Sequence, residues 1–216
     1  MNSPIETTSA TIKRAGIIAI LRGDFSVADM LRIGDALLAG TVTIMEVTLN
    51  SPFALRALPQ LRQHFGNTML IGAGTVRDAS LAHQAMDAGA QFMVAPNFDA
   101  ETVTLAQSRN VLHLPGIFTA TEAQTAFVAG CRMLKLFPMV GESGPAYLKA
   151  LRGPFHDIDF VPTGGISLEN IAEYVSAGAV AVGLGSKLVL DRQQPSADLT
   201  ARAMALRKTW QDAKNA

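Results

Sequence analysis

The chain has 216 residues, 49% of them hydrophobic and 6% aromatic, with 18 basic and 18 acidic side chains that cancel to a formal net charge of zero. That length holds one domain or two small ones, and the apolar share suffices for a sizeable core. Zero net charge without a basic run argues against a nucleic-acid partner, so an anionic ligand has to be held by a local site and not by a whole-molecule field.

The first ten residues are polar and carry no apolar signal core. No apolar stretch approaches the ~20 residues of a membrane helix, and Cys131 is the single cysteine, so no intrachain disulfide is available. The expectation is a soluble, cytoplasmic protein with no membrane partner.

A helix is predicted over about Pro4 to Ala15. Eight short apolar runs follow: Ile17 to Leu21, Ile44 to Leu49, Leu70 to Thr75, Phe92 to Pro96, Val111 to Pro115, Met133 to Pro138, Asp159 to Thr163 and Val180 to Leu184. Their starts lie roughly 19 to 27 residues apart, room for one strand and one helix each. Val27 to Ala39 has helical periodicity with Met30, Ile33, Leu37 and Leu38 on one face, and Ala79 to Ala88 is similar. Ser26 with Asp29, and Thr119 with Glu122, have capping-box spacing. Ala39-Gly40, Ala88-Gly89, Ala129-Gly130 and Ala177-Gly178 each end a helix, where glycine can take the left-handed conformation. A last helix runs over about Ala197 to Asp212. Eight such units make residues 1–216 a single α/β domain, a compact (β/α)8 TIM barrel with an added N-terminal helix. An open doubly wound sheet is the structural alternative, disfavoured by the strand count and by the lack of a Gly-x-Gly-x-x-Gly turn after the first strand.

In a barrel, alternate strand residues point inward and the site lies at the C-terminal strand ends. Parity groups Ile18, Ile20 and Arg22; Ile44, Glu46 and Thr48; Ile71, Ala73 and Thr75; Met133, Lys135 and Phe137; and Val161 with Thr163. If these faces point inward, Arg22, Glu46, Thr75, Lys135 and Thr163 converge. Lys135, in Met-Leu-Lys-Leu-Phe-Pro, is either a lysine snorkelling past the core or an amine whose pKa burial has lowered enough to attack a ketone. Glu46, in Ile-Met-Glu-Val-Thr-Leu, is either half of a structural ion pair with Arg22 or Lys135 or a general acid–base. The seventh run ends in Thr163-Gly164-Gly165, and the eighth continues into Gly185-Ser186. Read as turns opening onto helix N-termini, these glycines form a phosphate site; read blandly, they are tight turns. Gly72-Ala73-Gly74-Thr75 leaves room for a ligand, with Thr75 as a donor. The four histidines have no metal-ligand spacing, Cys131 reads as a small buried residue, and no metal or cofactor is expected.

Taken together, Ala19-Ile20-Leu21-Arg22-Gly23, Glu46-Val47-Thr48-Leu49-Asn50-Ser51-Pro52, Gly72-Ala73-Gly74-Thr75-Val76, Val94-Ala95-Pro96, Lys135-Leu136-Phe137-Pro138, Pro162-Thr163-Gly164-Gly165-Ile166 and Gly183-Leu184-Gly185-Ser186 resemble the 2-keto-3-deoxy-6-phosphogluconate and 4-hydroxy-2-oxoglutarate aldolase family, over about residues 12 to 190. The resemblance implies a metal-free class I aldolase of Entner–Doudoroff carbohydrate metabolism, a homotrimer, which cleaves a phosphorylated 2-keto-3-deoxy acid to pyruvate and glyceraldehyde 3-phosphate. It makes Lys135 the Schiff-base lysine and Glu46 the proton shuttle. Thr75 binds the carboxylate region, Pro96 and Phe137 pack around the pyruvyl part, and Gly164, Gly165, Gly185 and Ser186 hold phosphate. Asn50 stands where the phosphogluconate branch has an arginine. Arg22 then takes the carboxylate, as in the 6-phosphogalactonate branch, which Leu-Asn-Ser-Pro and Gly144-Pro145-x-Tyr147 also resemble. Thr163 matches the phosphogluconate branch, so the C4 configuration of the substrate stays open. The rival readings are a phosphosugar isomerase or epimerase on the same barrel, and a non-catalytic phosphate-ligand barrel.

Overall fold

The structure, a computed structural model, describes residues 3–139, 141 and 143–216. Helix α1 (Pro4–Ala15) leads into β1 (Ile17–Leu21), and the chain then alternates through α2 (Val27–Ala39), β2 (Ile44–Thr48), α3 (Ala54–Phe65), β3 (Leu70–Gly74), α4 (Ala79–Asp87), β4 (Phe92–Val94), α5 (Ala100–Ser108) and β5 (Leu112–Leu114). After β6 (Gly116–Ile117) come α6 (Ala120–Val128), β7 (Met133–Leu136), α7 (Gly144–Arg152), β8 (Asp159–Pro162), α8 (Ile171–Ser176), β9 (Val182–Leu184) and α9 (Ser196–Asn215). Every predicted strand run contains a strand. The fifth run reaches further than expected: Pro115, which has no N–H for a ladder, separates β5 from β6, while its carbonyl accepts from the Lys135 N–H at 2.9 Å.

All ladders are parallel. β5-β4-β3-β2-β1-β9 form one curled sheet and β6-β7-β8 a second, and a single bridge, Thr163 to Gly183, links β8 to β9. Parallel strands are covered on both faces, and two apolar clusters follow. The larger contains Ile17, Ala19, Leu21, Met45 and Val47 with the helix residues Met30, Ile33, Leu37, Leu58 and Leu61, so it fills the layer between sheet and helices. The smaller joins Ile18, Ile44, Phe92, Leu114, Met133 and Val161 on the other, concave face, with Ile12 of α1 among them.

This assigns the strand faces. Ile18, Ile44, Met133 and Val161 point to the concave side as parity required. The third strand is the exception: Ile71 and Ala73 pack toward the helices, so the expected inward set of Ile71, Ala73 and Thr75 is corrected. Gly72 and Gly74 face the interior instead, where a Cβ on Gly72 would stand 2.5 Å from the Phe92 ring. A run that is apolar on both faces carries no signal of which face is concave.

The capping boxes at Ser26/Asp29 and Thr119/Glu122 are formed, and a third closes α1 at Ser3/Glu6. Gly89, Gly130 and Gly178 are left-handed, with φ of 91°, 92° and 94°. Gly40 is not: its φ is −83°, and Thr41 takes the left-handed turn at 63°. Among the described residues no helix is long and apolar enough to cross a membrane.

Candidate active site

Lys135 lies on β7, in register with Gly116 of β6 and Val161 of β8, and is 2% exposed. Glu46 lies on β2, in register with Ile20 of β1 and Gly72 of β3, and is 1% exposed. Two ionisable groups on the concave face cannot snorkel outward past their own sheet. Removal from water disfavours each charged form. It pushes the Lys135 ammonium below its ordinary pKa, helped by the positive Arg22 and opposed by Glu46. It pushes the Glu46 carboxyl up, opposed by Lys135 and Arg22. Among the described residues Glu46 closes no salt bridge with either cation, and its Oε1 has no hydrogen-bond partner. The structural ion pair is therefore absent. What remains is an amine biased toward its neutral form and a carboxyl biased toward holding a proton, coupled through the field.

Phe137 stands beside the amine, with Nζ 4.8 Å from the ring centroid. Above lies a cavity of about 170 Å³. Arg22, Phe137 and Thr163 line it, and so do Gly164, Gly165, Gly185 and Ser186. Seven of the eleven residues singled out from the sequence thus share one cavity wall, at the C-terminal ends of β1, β7, β8 and β9. Lys135 and Glu46 are not among its lining residues; the amine is joined to it through Phe137, which lines the cavity and lies beside Nζ. Thr75 and Pro96 do not line it. Thr75 is half-buried at the end of β3, and its φ of 60° breaks the strand alternation there. Pro96 packs its carbonyl against Gly116, which has no Cβ to block it, and Gly116 is the register neighbour of Lys135.

The glycine turns differ from the expectation in one respect. Gly164 and Gly165, with φ of 101° and 65°, need glycine's freedom, yet they do not open directly onto a helix. Asn170 donates its amide to the Gly165 carbonyl at 3.0 Å and accepts from the Ser167 N–H at 2.9 Å, closing a loop of its own before the six-residue α8. After β9 the Gly185 carbonyl accepts from the N–H groups of both Leu188 and Val189, a single turn, and α9 begins only at Ser196. At this corner the cavity is faced by loop backbone and by the Arg22 and Lys187 side chains, not by a helix N-terminus.

Three residues went unforeseen. Lys187 lines the cavity directly after Ser186; a cation following a Gly-Ser turn was the available signal. Thr48 and Ser51 are buried and brace the arginine loop. The Thr48 hydroxyl donates to the Leu21 carbonyl at 3.2 Å, and the Gly23 N–H donates to Ser51 Oγ at 3.1 Å. These bonds hold the turn that carries Arg22 and are invisible to spacing, since they join strands 27 or 28 residues apart.

Comparison with known proteins places this geometry. The family described as "KDPG and KHG aldolase" matches residues 8–202. A 2-dehydro-3-deoxy-phosphogluconate aldolase of Pseudomonas aeruginosa is 42% identical over 169 residues, 76% of each chain. A 2-dehydro-3-deoxy-6-phosphogalactonate aldolase of Escherichia coli is 37% identical over 199 residues, 91% of this chain and 95% of that one. Among solved structures, the KDPG aldolase of Legionella pneumophila, with pyruvate captured as a covalent carbinolamine, superposes with a TM-score of 0.85 at 30% identity, covering 95% of this chain and 98% of that one.

Proposed function

This chain belongs to the KDPG and KHG aldolase family, and we propose from that premise that it is a class I aldolase, a lyase that cleaves a 2-keto-3-deoxy-6-phospho sugar acid of the gluconate or galactonate type into pyruvate and glyceraldehyde 3-phosphate. The observation that carries the reading is the buried Lys135 amine with its pKa driven down, in the field of a buried Glu46 carboxyl that no hydrogen bond on Oε1 immobilises. The covalent pyruvate adduct of the Legionella relative supports it. Neither an isomerase nor a binding barrel needs an imine.

In this mechanism Arg22 holds the substrate carboxylate with Thr75, and Pro96 and Phe137 pack the pyruvyl part. The free Lys135 amine attacks the C2 carbonyl, and loss of water gives an iminium. Glu46 takes the proton of the C4 hydroxyl, and the C3–C4 bonding pair flows into the iminium to give an enamine. Glyceraldehyde 3-phosphate departs with its phosphate on Gly164, Gly165, Gly185 and Ser186. Glu46 returns a proton to C3, and water hydrolyses the iminium to release pyruvate. Thr163, which lines the cavity, is assigned the reading of the C4 hydroxyl. No metal or cofactor is required by these steps.

The proposed scaffold is one closed (β/α)8 barrel with α1 added at its N-terminal end and residues 1–216 as a single domain. The continuity of β5 and β6 across Pro115 and the Thr163–Gly183 bridge support closure of the two sheets into eight strands. The proposed assembly is a cytoplasmic homotrimer serving the Entner–Doudoroff class of carbohydrate breakdown. Large apolar side chains exposed on the protomer, Val128 and Leu190 among them, fit subunit contact, and analytical ultracentrifugation measures it.

Incubation with pyruvate, reduction with borohydride and mapping of the adduct by mass spectrometry tests the reaction. The reduced adduct is expected on Lys135, and Lys135→Ala should remove it together with nearly all cleavage. A wild-type protein that traps no pyruvate overturns the reading.

A further inference from the structure

Gly74 occupies the concave face at the C-terminal end of β3, in register with Thr48 of β2 and Val94 of β4. Its backbone is ordinary strand, with no positive φ, so conformational freedom is not what glycine supplies. Space is. A Cβ built on Gly74 would stand 2.6 Å from Glu46 Oε1, 3.0 Å from Glu46 Cδ and 3.1 Å from Thr48 Cγ2. No backbone atom is among these neighbours.

The register gives this notch a direction. The backbone partner of Glu46 is Gly72, not Gly74. The carboxyl that lies against Gly74 has therefore leaned along the sheet, past its own register partner and toward the C-terminal mouth where the cavity opens. Hydrogen bonding does not explain the lean, because Oε1 is buried without a partner. Shape does. Thr48, its hydroxyl tied to the Leu21 carbonyl and paired with Ser51 at 3.0 Å, supplies the fixed wall, and the missing side chain of Gly74 supplies the gap.

We propose that Gly74 is a positioning residue for the Glu46 carboxyl: the space above its Cα lets Oε1 reach the mouth-side position from which a proton can be exchanged with substrate bound at Lys135. This inference rests on the aldolase reading above. It separates two steps that share a site. Imine formation needs the Lys135 amine and the C2 carbonyl. Proton transfer at the C4 hydroxyl and at C3 needs the Glu46 carboxyl in place. A methyl group at position 74 should displace the second and leave the first.

The test is Gly74→Ala, read in three ways. Borohydride trapping of pyruvate on Lys135 should proceed at close to the wild-type rate, and KM should change little. Exchange of the pyruvate C3 protons in deuterated water, and kcat for cleavage, should fall on the order of 100-fold, the scale of a lost general acid–base. In a Glu46→Gln background the same alanine should cost less than about threefold, because the group it displaces no longer carries the proton. Gly72→Ala, whose Cβ meets the Phe92 ring, serves as control: it should lower the melting temperature without separating trapping from exchange. Wild-type exchange in Gly74→Ala, or an undiminished penalty in the Glu46→Gln background, would overturn the proposal. If Gly74→Ala does not fold, Glu46→Asp should rescue it by withdrawing the carboxyl one carbon, and failure of that rescue overturns the proposal too. A wild-type protein that never traps pyruvate removes the aldolase reading and this inference with it, whereas normal trapping with unchanged exchange in Gly74→Ala removes this inference alone.

Discussion

Burial moves Lys135 and Glu46 in opposite directions on the pH scale, and therefore toward each other. Each charge tempers the shift of the other: Glu46 raises the Lys135 pKa while burial and Arg22 lower it from 10.5. A sign follows. Imine formation needs the neutral amine, so its rate rises with pH through the Lys135 pKa. Glu46→Gln removes the charge that favours the ammonium, so the Lys135 pKa drops further and the midpoint of the trapping rate against pH should move to lower pH. Arg22→Met removes a cation and should move it to higher pH. Borohydride trapping across a pH series measures both, and an alkaline displacement in Glu46→Gln would contradict the coupling. At this scale the sequence was informative, because a charge in an apolar strand costs free energy that needs a reason. Gly74 was only half legible. Its neighbourhood read as room for a ligand, whereas the nearest atoms belong to the Glu46 carboxyl on the adjacent strand.

At the scale of the elements, caps and periodicity were legible because their causes are local. Ser26 and Asp29, or Thr119 and Glu122, meet across a single turn whatever the rest of the chain does. The Ala-Gly helix ends show where that locality stops. Three of the four glycines close their helices in the left-handed conformation, but Gly40 answers to a helix about 160 residues away in sequence. A Cβ there would stand 2.5 Å from the Ala203 Cβ and 2.9 Å from the Thr200 carbonyl oxygen of α9. Gly40→Ala should therefore destabilise, by about 1–3 kcal/mol as overpacking, although alanine is the better helix former. Urea denaturation measures this, and a neutral or stabilising result would mean that α2 and α9 part at no cost.

Across the whole molecule, α9 acts as a latch. Trp210 is 2% exposed, and its indole fills the space over Gly16, at the junction of α1 and β1, that any side chain there would occupy. Gly16 has to be glycine twice over, for that contact and for its φ of 74°. Trp210→Ala should cost about 3–5 kcal/mol, the range for deleting a large buried aromatic. It should be followed by circular dichroism, since Trp210 is the only tryptophan. A loss under about 1 kcal/mol would show that the C-terminal helix is dispensable to the fold. The cavity lies at the opposite ends of the strands, so catalysis per folded molecule should be unchanged.

The sequence by itself determined where the eight strand-bearing runs fall and in what order, the caps at Ser26 and Thr119, and the identity of the two buried charges. Each of these leaves a mark within one element: a period, a cap spacing, or a polar side chain in an apolar run. The tertiary structure alone decided which face of β3 is concave, that Thr48 and Ser51 brace the Arg22 loop, that Lys187 joins the cavity wall, and that Gly40 and Gly74 are small for the sake of distant neighbours. The physical reason is the same in each case. A strand buried on both faces reads apolar on both, and the distance between side chains on neighbouring strands is set by register and curl, which no single segment encodes.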